Sequence, residues 1–421
     1  MHIAVLGAGV VGLTTAWLLV RKGFRVTIID RQKGVGQETS FANGAQLSYA
    51  YVAPLASPGI LAKLPSLLIS RDSPLAIKPS FDPAFVRWML GFLRACNRRT
   101  ELESLYAQVQ LANLSRDALG SLLPDLPSSV LIEQPGKLVI FRSAASFRAS
   151  QNSSEQLAGL GILQEIASPD RCLELEPALH MSKSELVGGI FTPSEQVSDC
   201  HAFCLGLEES LRKTGAVTWH LSTEVVGGVI DRGALEHITT STGDVKADAY
   251  VLCLGSFSAH IAKSLGFYLP IQPLKGFSLT LPVADGGELT KSVTDFDNKT
   301  VFAPIKRGEQ NKIRVAGVAE LVGYDTRIDP KRIEMLRRLA KTVVKTADVT
   351  DDMPWTGLRP QTPDSRPIIG PSPLRNLFLN AGHGGLGWTL ACGSATLCAE
   401  LIAEARPSID PKLFALDRSS L

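Results

Sequence analysis

The chain is poor in aromatic residues, at 6%, and has almost no excess charge: 43 Lys and Arg against 41 Asp and Glu, a formal +2 over 421 residues. Without a basic field there is nothing to grip a nucleic-acid backbone, so nucleic acid is excluded as a partner class. No run approaches the roughly 18–20 apolar residues that span a bilayer. Seven cysteines (Cys96, Cys172, Cys200, Cys204, Cys253, Cys392 and Cys398) are odd in number and scattered, with no CxxC pair and no alternating Cys/His set. Neither a disulfide framework nor a metal site is expected, and reduced thiols point to a cytoplasmic setting. Met1-His2 runs straight into apolar residues without a basic leader, so export is not expected. Missing too are a Ser/His/Asp order, an HExxH motif and paired acid/base carboxylates. Disorder is excluded by 45% hydrophobic and 20% charged residues, and the length admits two or three domains.

What is present begins at once. The apolar run 3–6 reads as a buried parallel strand and delivers the chain to Gly7-Ala8-Gly9-Val10-Val11-Gly12, a GxGxxG. Residues 13–22 read as a helix closed by Gly23, and 25–29 as a second strand ending in Asp30, 18 positions after Gly12. Gly7 permits the tight turn, Gly9 admits a pyrophosphate to the backbone, Gly12 lets helix and strand pack, and the helix N-terminus offers N–H groups to the anion. Asp30 is placed to accept from ribose hydroxyls, with Arg31 beside it.

The chain then runs through a small, polar stretch containing Ser40, Asn43, Gly44 and Gln46, suited to an extended ligand. Near the far end, apolar residues 377–380 precede Gly382-His383-Gly384-Gly385-Leu386-Gly387 and a helix-forming segment from Trp388 to 405. This repeats the strand, glycine loop, helix logic. A helix N-terminus there would face an anion such as the N1 and O2 edge of a reduced isoalloxazine. NAD would use only the first element, whereas the longer FAD needs both; the bland alternative is a structural turn.

These segments, with Thr39-Ser40-Phe41-Ala42-Asn43-Gly44-Ala45-Gln46, residues 247–256, Pro273-Leu274-Lys275-Gly276-Phe277-Ser278, Thr356-Gly357-Leu358-Arg359-Pro360 and Gly382 to Thr389, make the chain resemble the bacterial D-amino acid dehydrogenase (small subunit) family, within the D-amino acid oxidase and glycine oxidase superfamily. The resemblance implies an α/β enzyme: a Rossmann-like FAD-binding domain and a mainly antiparallel-sheet substrate domain. It implies oxidation of the Cα–N bond to an imine by hydride transfer to flavin N5, then hydrolysis to a 2-oxo acid and ammonia. From strand-like composition at 271–281, 300–306 and 313–318, the FAD domain is expected from 1–79, 192–262 and 352–421, and the substrate domain from 80–191 and 263–351.

Residue roles follow from the same resemblance. Arg359 would grip the substrate carboxylate, its planar fork pairing both oxygens, unless it sits in a surface ion pair. His383 is a tempting general base, though local hydrogen bonding or a flavin contact is the plainer role. Tyr51 and Phe277 are candidate substrate-pocket residues. Phe277 stands where the family pattern has tyrosine, and the 49–55 segment also departs, which suggests an atypical substrate such as a hydroxy-D-proline. Val225 and Gly255 would touch the cofactor, as would Gly382, Gly384, Gly385, Leu386, Gly387 and Trp388. No cysteine lies beside Gly357, so FAD is expected to be noncovalent.

The electron acceptor is less legible. Phe85, Met89, Phe92, Leu93 and Cys96 share one helical face and Arg87, Arg94 and Arg98 another, with Arg99 alongside and Trp88 between. Such a helix could meet a quinone-bearing membrane through 85–99, placing the protein on the cytoplasmic face of the inner membrane, or could simply pack on the core. A dehydrogenase, an oxygen-using oxidase and a flavin-binding assembly protein without turnover remain as competing readings.

Overall fold

A computed structural model describes residues 1–61, 75–78, 80–159, 161–179, 183–283, 287–307, 310–343 and 352–421. The expected domain borders at 79 and 351 lie outside the described residues.

The apolar run at the N-terminus becomes the strand His2–Leu6, fully buried from Ile3 onward because other layers cover both its faces. It pairs in parallel with Arg25–Ile29 and with Ala249–Leu252. The six-stranded sheet runs in the order Ile368–Pro371, Leu377–Ala381, Ala249–Leu252, His2–Leu6, Arg25–Ile29, Val217–His220, with only the first strand antiparallel. One face carries the helices Val10–Arg21, Cys200–Thr214 and Gly387–Ile402; the other carries Ser258–Ser264 and a three-stranded antiparallel sheet of residues 225–245. Both halves of the ligand signature therefore converge in one layer from opposite ends of the chain.

Local chemistry explains the helix limits. The first helix starts at Val10, three residues before the sequence suggested, because extended Gly9 is its N-cap. Asp199 caps Cys200–Thr214 by accepting from the His201 N–H, and left-handed Gly215 ends it. Gly384–Ile402 is long and apolar enough to cross a bilayer by length and composition alone, yet 67% of its apolar window is buried in the fold. Helix Arg98–Leu122 packs on it so closely that a Cβ on Gly393 would lie 2.5 Å from the Leu111 carbonyl.

The larger sheet orders Met353–Gln361, Gln272–Pro282, Gln310–Leu321, Thr300–Arg307, Ser292–Asp295, Lys137–Phe141, Gly188–Thr192 and Glu165–Ala167, with Leu75–Ile77 beside Gln310–Leu321. It is antiparallel except where Ser292–Asp295 meets Lys137–Phe141 and where Leu75–Ile77 joins. Two stretches sit outside the shares assigned to them from sequence: Arg98–Leu122 lies in the layer of the smaller sheet, and Met353–Gln361 belongs to the larger one.

The helix Pro83–Ala95 turns inward all of its expected apolar face except Leu93, which is exposed. Trp88, Phe92, Ala95 and Cys96 are buried with Ala56, Ile77, Leu274 and Leu321, and Phe85 and Met89 are packed against them. Trp88 Nε1 donates to the Gln361 carbonyl at 2.9 Å, tying the helix to the strand that carries Arg359. The plain core-packing reading holds for Phe85, Met89, Phe92 and Cys96. The outer face is more apolar than its arginines suggested: Phe81 is 99% exposed, and Val86, Leu90 and Leu93 are exposed beside Arg87 and Arg94.

Candidate active site

Between the two sheets lies a cavity of about 1130 Å³. Small-ligand pockets run to about 300–1,000 Å³, so this one suits a ligand of dinucleotide size.

At one end the turn after His2–Leu6 is closed so tightly that a Cβ on Gly12 would sit 1.9 Å from the Gly7 carbonyl. Gly12 therefore shapes the loop from behind, while Gly7, Gly9, Val10 and Val11 line the cavity. Asp30 accepts the Ala8 N–H at 2.6 Å and the Gln32 N–H at 2.8 Å. Burial raises its pKa from the ordinary aspartate value, with those two bonds opposing. Arg31 pairs with Glu38 at 2.5 Å and stacks on Phe257 at 3.8 Å. Thr223, Glu224, Val225 and left-handed Gly255 complete this end.

Along the middle, Ser40 Oγ accepts the Val10 N–H at 3.1 Å, and Asn43 Oδ1 accepts the Ala45 N–H at 3.0 Å. Gly44 and Gln46 follow, facing Gly384, Gly385, Leu386, Gly387 and Trp388 from the C-terminal loop. Gly382 is the one glycine of that loop not on the cavity wall; its missing side chain makes room for Thr362, at 2.6 Å from an ideal Cβ. Three wall residues carry buried polar atoms without a partner: Asn380 Oδ1, His383 Nε2 and Trp388 Nε1. Unpaired groups of this kind cost free energy unless a ligand meets them. With the two helix N-termini at Val10 and Gly387, these atoms show that the residues present fit FAD.

Arg359 stands at the far end. In antiparallel register it faces Leu274, two positions from Gly276. A Cβ at Gly276 would fall 2.6–2.8 Å from its guanidinium, so glycine there is what lets the side chain lie across the sheet. No carboxylate and no hydrogen-bond acceptor meets it among the described residues. Burial alone lowers its pKa. The ion-pair alternative is thus removed: an enclosed guanidinium without a counter-ion awaits an anion.

A bulge shapes the wall beside it. The pairing of Gln272–Pro282 with Gln310–Leu321 shifts register at Gly276/Phe277, leaving Val318 as the extra residue at φ 52°, a conformation costly for a β-branched side chain. Before the bulge Ile313 and Val315 enter the core; after it Val318 does, so Ala316 and Ala319 both reach the cavity.

The same alternation sets how Phe277 meets the cavity. Gly276 and Ser278 face the cavity, whereas the Phe277 ring is 1% exposed in the core with Leu279, Leu281 and Phe302. It is also on the cavity wall, as the sequence reading expected, with little of its surface open to the cavity. Tyr51 does line the cavity, but its hydroxyl is engaged at 2.8 Å by Thr192 and at 3.2 Å by Gln164. His383 lines it too; burial drives its pKa down to about 3, which leaves a neutral ring too weakly basic to keep a proton taken from an ammonium. Sequence reasoning missed Lys137, Ser48 and Thr389, all on the wall. The available signal was a lone lysine opening an otherwise apolar strand.

The family described as FAD dependent oxidoreductase matches residues 2–401. D-amino acid dehydrogenase 2 of Ralstonia nicotianae is 41% identical, covering 99% of this chain and 100% of its own. D-amino acid dehydrogenase 2 of Pseudomonas aeruginosa is 43% identical, covering 97% and 96%. Among solved structures, glycine oxidase from Geobacillus kaustophilus superposes with a TM-score of 0.74 at 22% identity, covering 99% and 98%. L-proline dehydrogenase from P. horikoshii gives 0.75 at 18%, covering 99% and 97%. These two structures speak to the fold alone.

Proposed function

Because the chain belongs to the FAD dependent oxidoreductases, we propose that it oxidises the Cα–N bond of a D-amino acid, or of a cyclic D-imino acid, to the imine. Water then releases a 2-oxo acid and ammonia from a primary amine, and a quinone-type acceptor takes the electrons. The observation that carries this reading is Arg359, a buried guanidinium with no counter-ion among the described residues, at the end of a FAD-sized cavity. The names of the two relatives above support the substrate class.

When bound, FAD supplies the acceptor for the Cα hydride and holds itself without a covalent link. The protein's part is placement. Arg359 pairs both carboxylate oxygens of the substrate and so sets the angle of Cα. Leu274, Gly276 and Ala319 beside it offer a small neutral wall, suited to a compact uncharged side chain. Burial disfavours the protonated form of His383, which supports entry of the amine in its neutral form.

The exposed face of Pro83–Ala95, with Phe81, Val86, Leu90 and Leu93 beside Arg87 and Arg94, supports a peripheral contact with an anionic lipid surface at the cytoplasmic face of the inner membrane. Sedimentation with anionic vesicles should fall when Leu90 and Leu93 become Ser; equal sedimentation removes that contact.

The deciding experiment is an anaerobic flavin spectrum with matched D- and L-amino acids, followed by air or a quinone analogue. Bleaching by D-isomers and recovery with quinone is the expected result. Recovery with air alone makes the protein an oxidase, and FAD that no amino acid bleaches makes it a binding protein.

A further inference from the structure

The cavity wall holds a second buried cation that neither the nucleotide cradle nor the carboxylate grip uses. Lys137 begins the strand Lys137–Phe141, is 5% exposed and lines the cavity. Its Nζ donates to Gln46 Oε1 and Ser48 Oγ, each at 3.0 Å, and lies 4.3 Å from the centre of the Tyr51 ring. No carboxylate comes within 4 Å of it among the described residues. The acid that acts on it is Glu195, whose Oε1 accepts the Ala50 N–H at 3.0 Å and whose Oε2 is buried without a partner. Burial draws the lysine pKa down and the glutamate pKa up.

A desolvated ammonium lacking a bonded counter-ion is costly, and the cost is recovered only where negative charge arrives. The contacts around Lys137 show where that is. The Ser48 N–H donates to Thr389 Oγ1 at 3.0 Å, and Thr389 is in the first turn of Gly387–Ile402. That helix begins at the loop whose His383 Nε2 and Trp388 Nε1 are buried and unpartnered on the same wall. Two positive sources, an ammonium and a helix N-terminus, thus converge on one corner of the cavity. Gln46, held by Lys137 through Oε1 and by Ser292 at 2.5 Å through Nε2, is locked between them.

We propose that Lys137 is a charge-positioning residue that raises the reduction potential of bound FAD, its ammonium facing the edge of the ring system that becomes negative on reduction, with Glu195 tempering it. The proposal rests on the placement of the ring between residues 44–46 and 384–388. A charge fixed in advance where charge develops stabilises the reduced form more than the oxidised one. The helix N-terminus alone would act on any ligand anion; Lys137 adds a full charge whose neighbour, Glu195, acts in the opposite sense.

The test is the midpoint potential of the purified holoenzyme, measured by equilibration with a reference dye at pH 7.5, alongside its visible spectrum. Lys137→Met should favour oxidised over reduced FAD at least tenfold more than the parent does, a negative shift of about 30 mV for a two-electron couple. Lys137→Arg should stay near the parent, and Glu195→Gln should shift positive. Should Lys137→Met fold poorly, the sign of the Glu195→Gln shift decides alone. An unchanged potential with a displaced visible band in Lys137→Met puts the ring beside Lys137 but overturns its control of the potential. An unchanged potential with an unchanged band takes the ring away from that corner and overturns its placement as well.

Discussion

Two buried charges five positions apart are treated by the fold in opposite ways. Asp364, fully buried just after the strand Met353–Gln361, is surrounded: Arg418 reaches it at 2.7 and 2.9 Å, Arg366 at 3.0 Å and Ser420 at 2.6 Å. Burial works to raise its pKa, but Arg418 and Arg366 hold the carboxyl at about 2. This knot pins the C-terminus against the edge strand. Arg359, on the strand Met353–Gln361, has no partner among the described residues and faces a cavity. A charge whose hydrogen bonds are complete stabilises a fold, whereas one left open within a closed fold marks where a ligand completes it.

The contrast breaks most visibly at Asp364. Asp364→Asn should leave two buried guanidiniums without a counter-ion and cost about 3–5 kcal/mol, read as a lowered denaturant midpoint, with FAD still bound by the folded fraction. Arg359→Ala should do the reverse, keeping yellow FAD and an unchanged or higher midpoint while kcat/KM falls about 100-fold or more, since hydrogen bonds to charged groups contribute about 1.5–3 kcal/mol each. Arg359→Lys should recover only part of that loss, because an ammonium lacks the fork. Equal turnover in Arg359→Ala would remove the clamp.

Acid sharpens the same comparison. Asp364 has a folded pKa below the ordinary carboxylate value of about 3.9, so its stabilisation is present above about pH 4 and is lost as pH falls through about 2. His383 is held at about 3, below the ordinary value of about 6.5. Below about pH 6.5 the unfolded chain takes that proton and the folded chain does not, so stability declines from there downward. In unfolding midpoints measured against pH, His383→Asn should flatten the curve between about 6.5 and 3, and Asp364→Asn only below about 4. The smallest effect is expected from Phe277→Tyr: about 1–3 kcal/mol of stability for a hydroxyl buried in the core, with substrate preference unmoved. A changed preference would put that ring against the substrate.

Much of this was legible in the residues, and the failures share a cause. The glycine turn at 7–12, Asp30 and the Gly384–Trp388 loop are local signals, since each needs only a strand, a turn and a helix start adjacent in sequence. That Phe277 packs into the core as well as bordering the cavity was not legible, because which face an alternating strand presents depends on its pairing, here reset by the bulge at Val318. Helix Pro83–Ala95 showed an amphipathic pattern, but nothing in the pattern says that Trp88 meets Gln361. Lys137 is a single residue whose meaning comes from Gln46, Ser48 and Thr389, far away along the chain.

The sequence by itself determined the backbone elements that receive a dinucleotide and the order in which they occur, because turn chemistry and hydrophobic period act between near neighbours. Only the tertiary structure decided which cations find anions. Arg359, Arg366 and Arg418 are alike as letters; the sheet edge and the C-terminal turn hand Asp364 to two of them, and the cavity leaves the third exposed to whatever enters. Charge pairing is a matter of distances set by packing, and packing brings together residues that the linear order keeps apart.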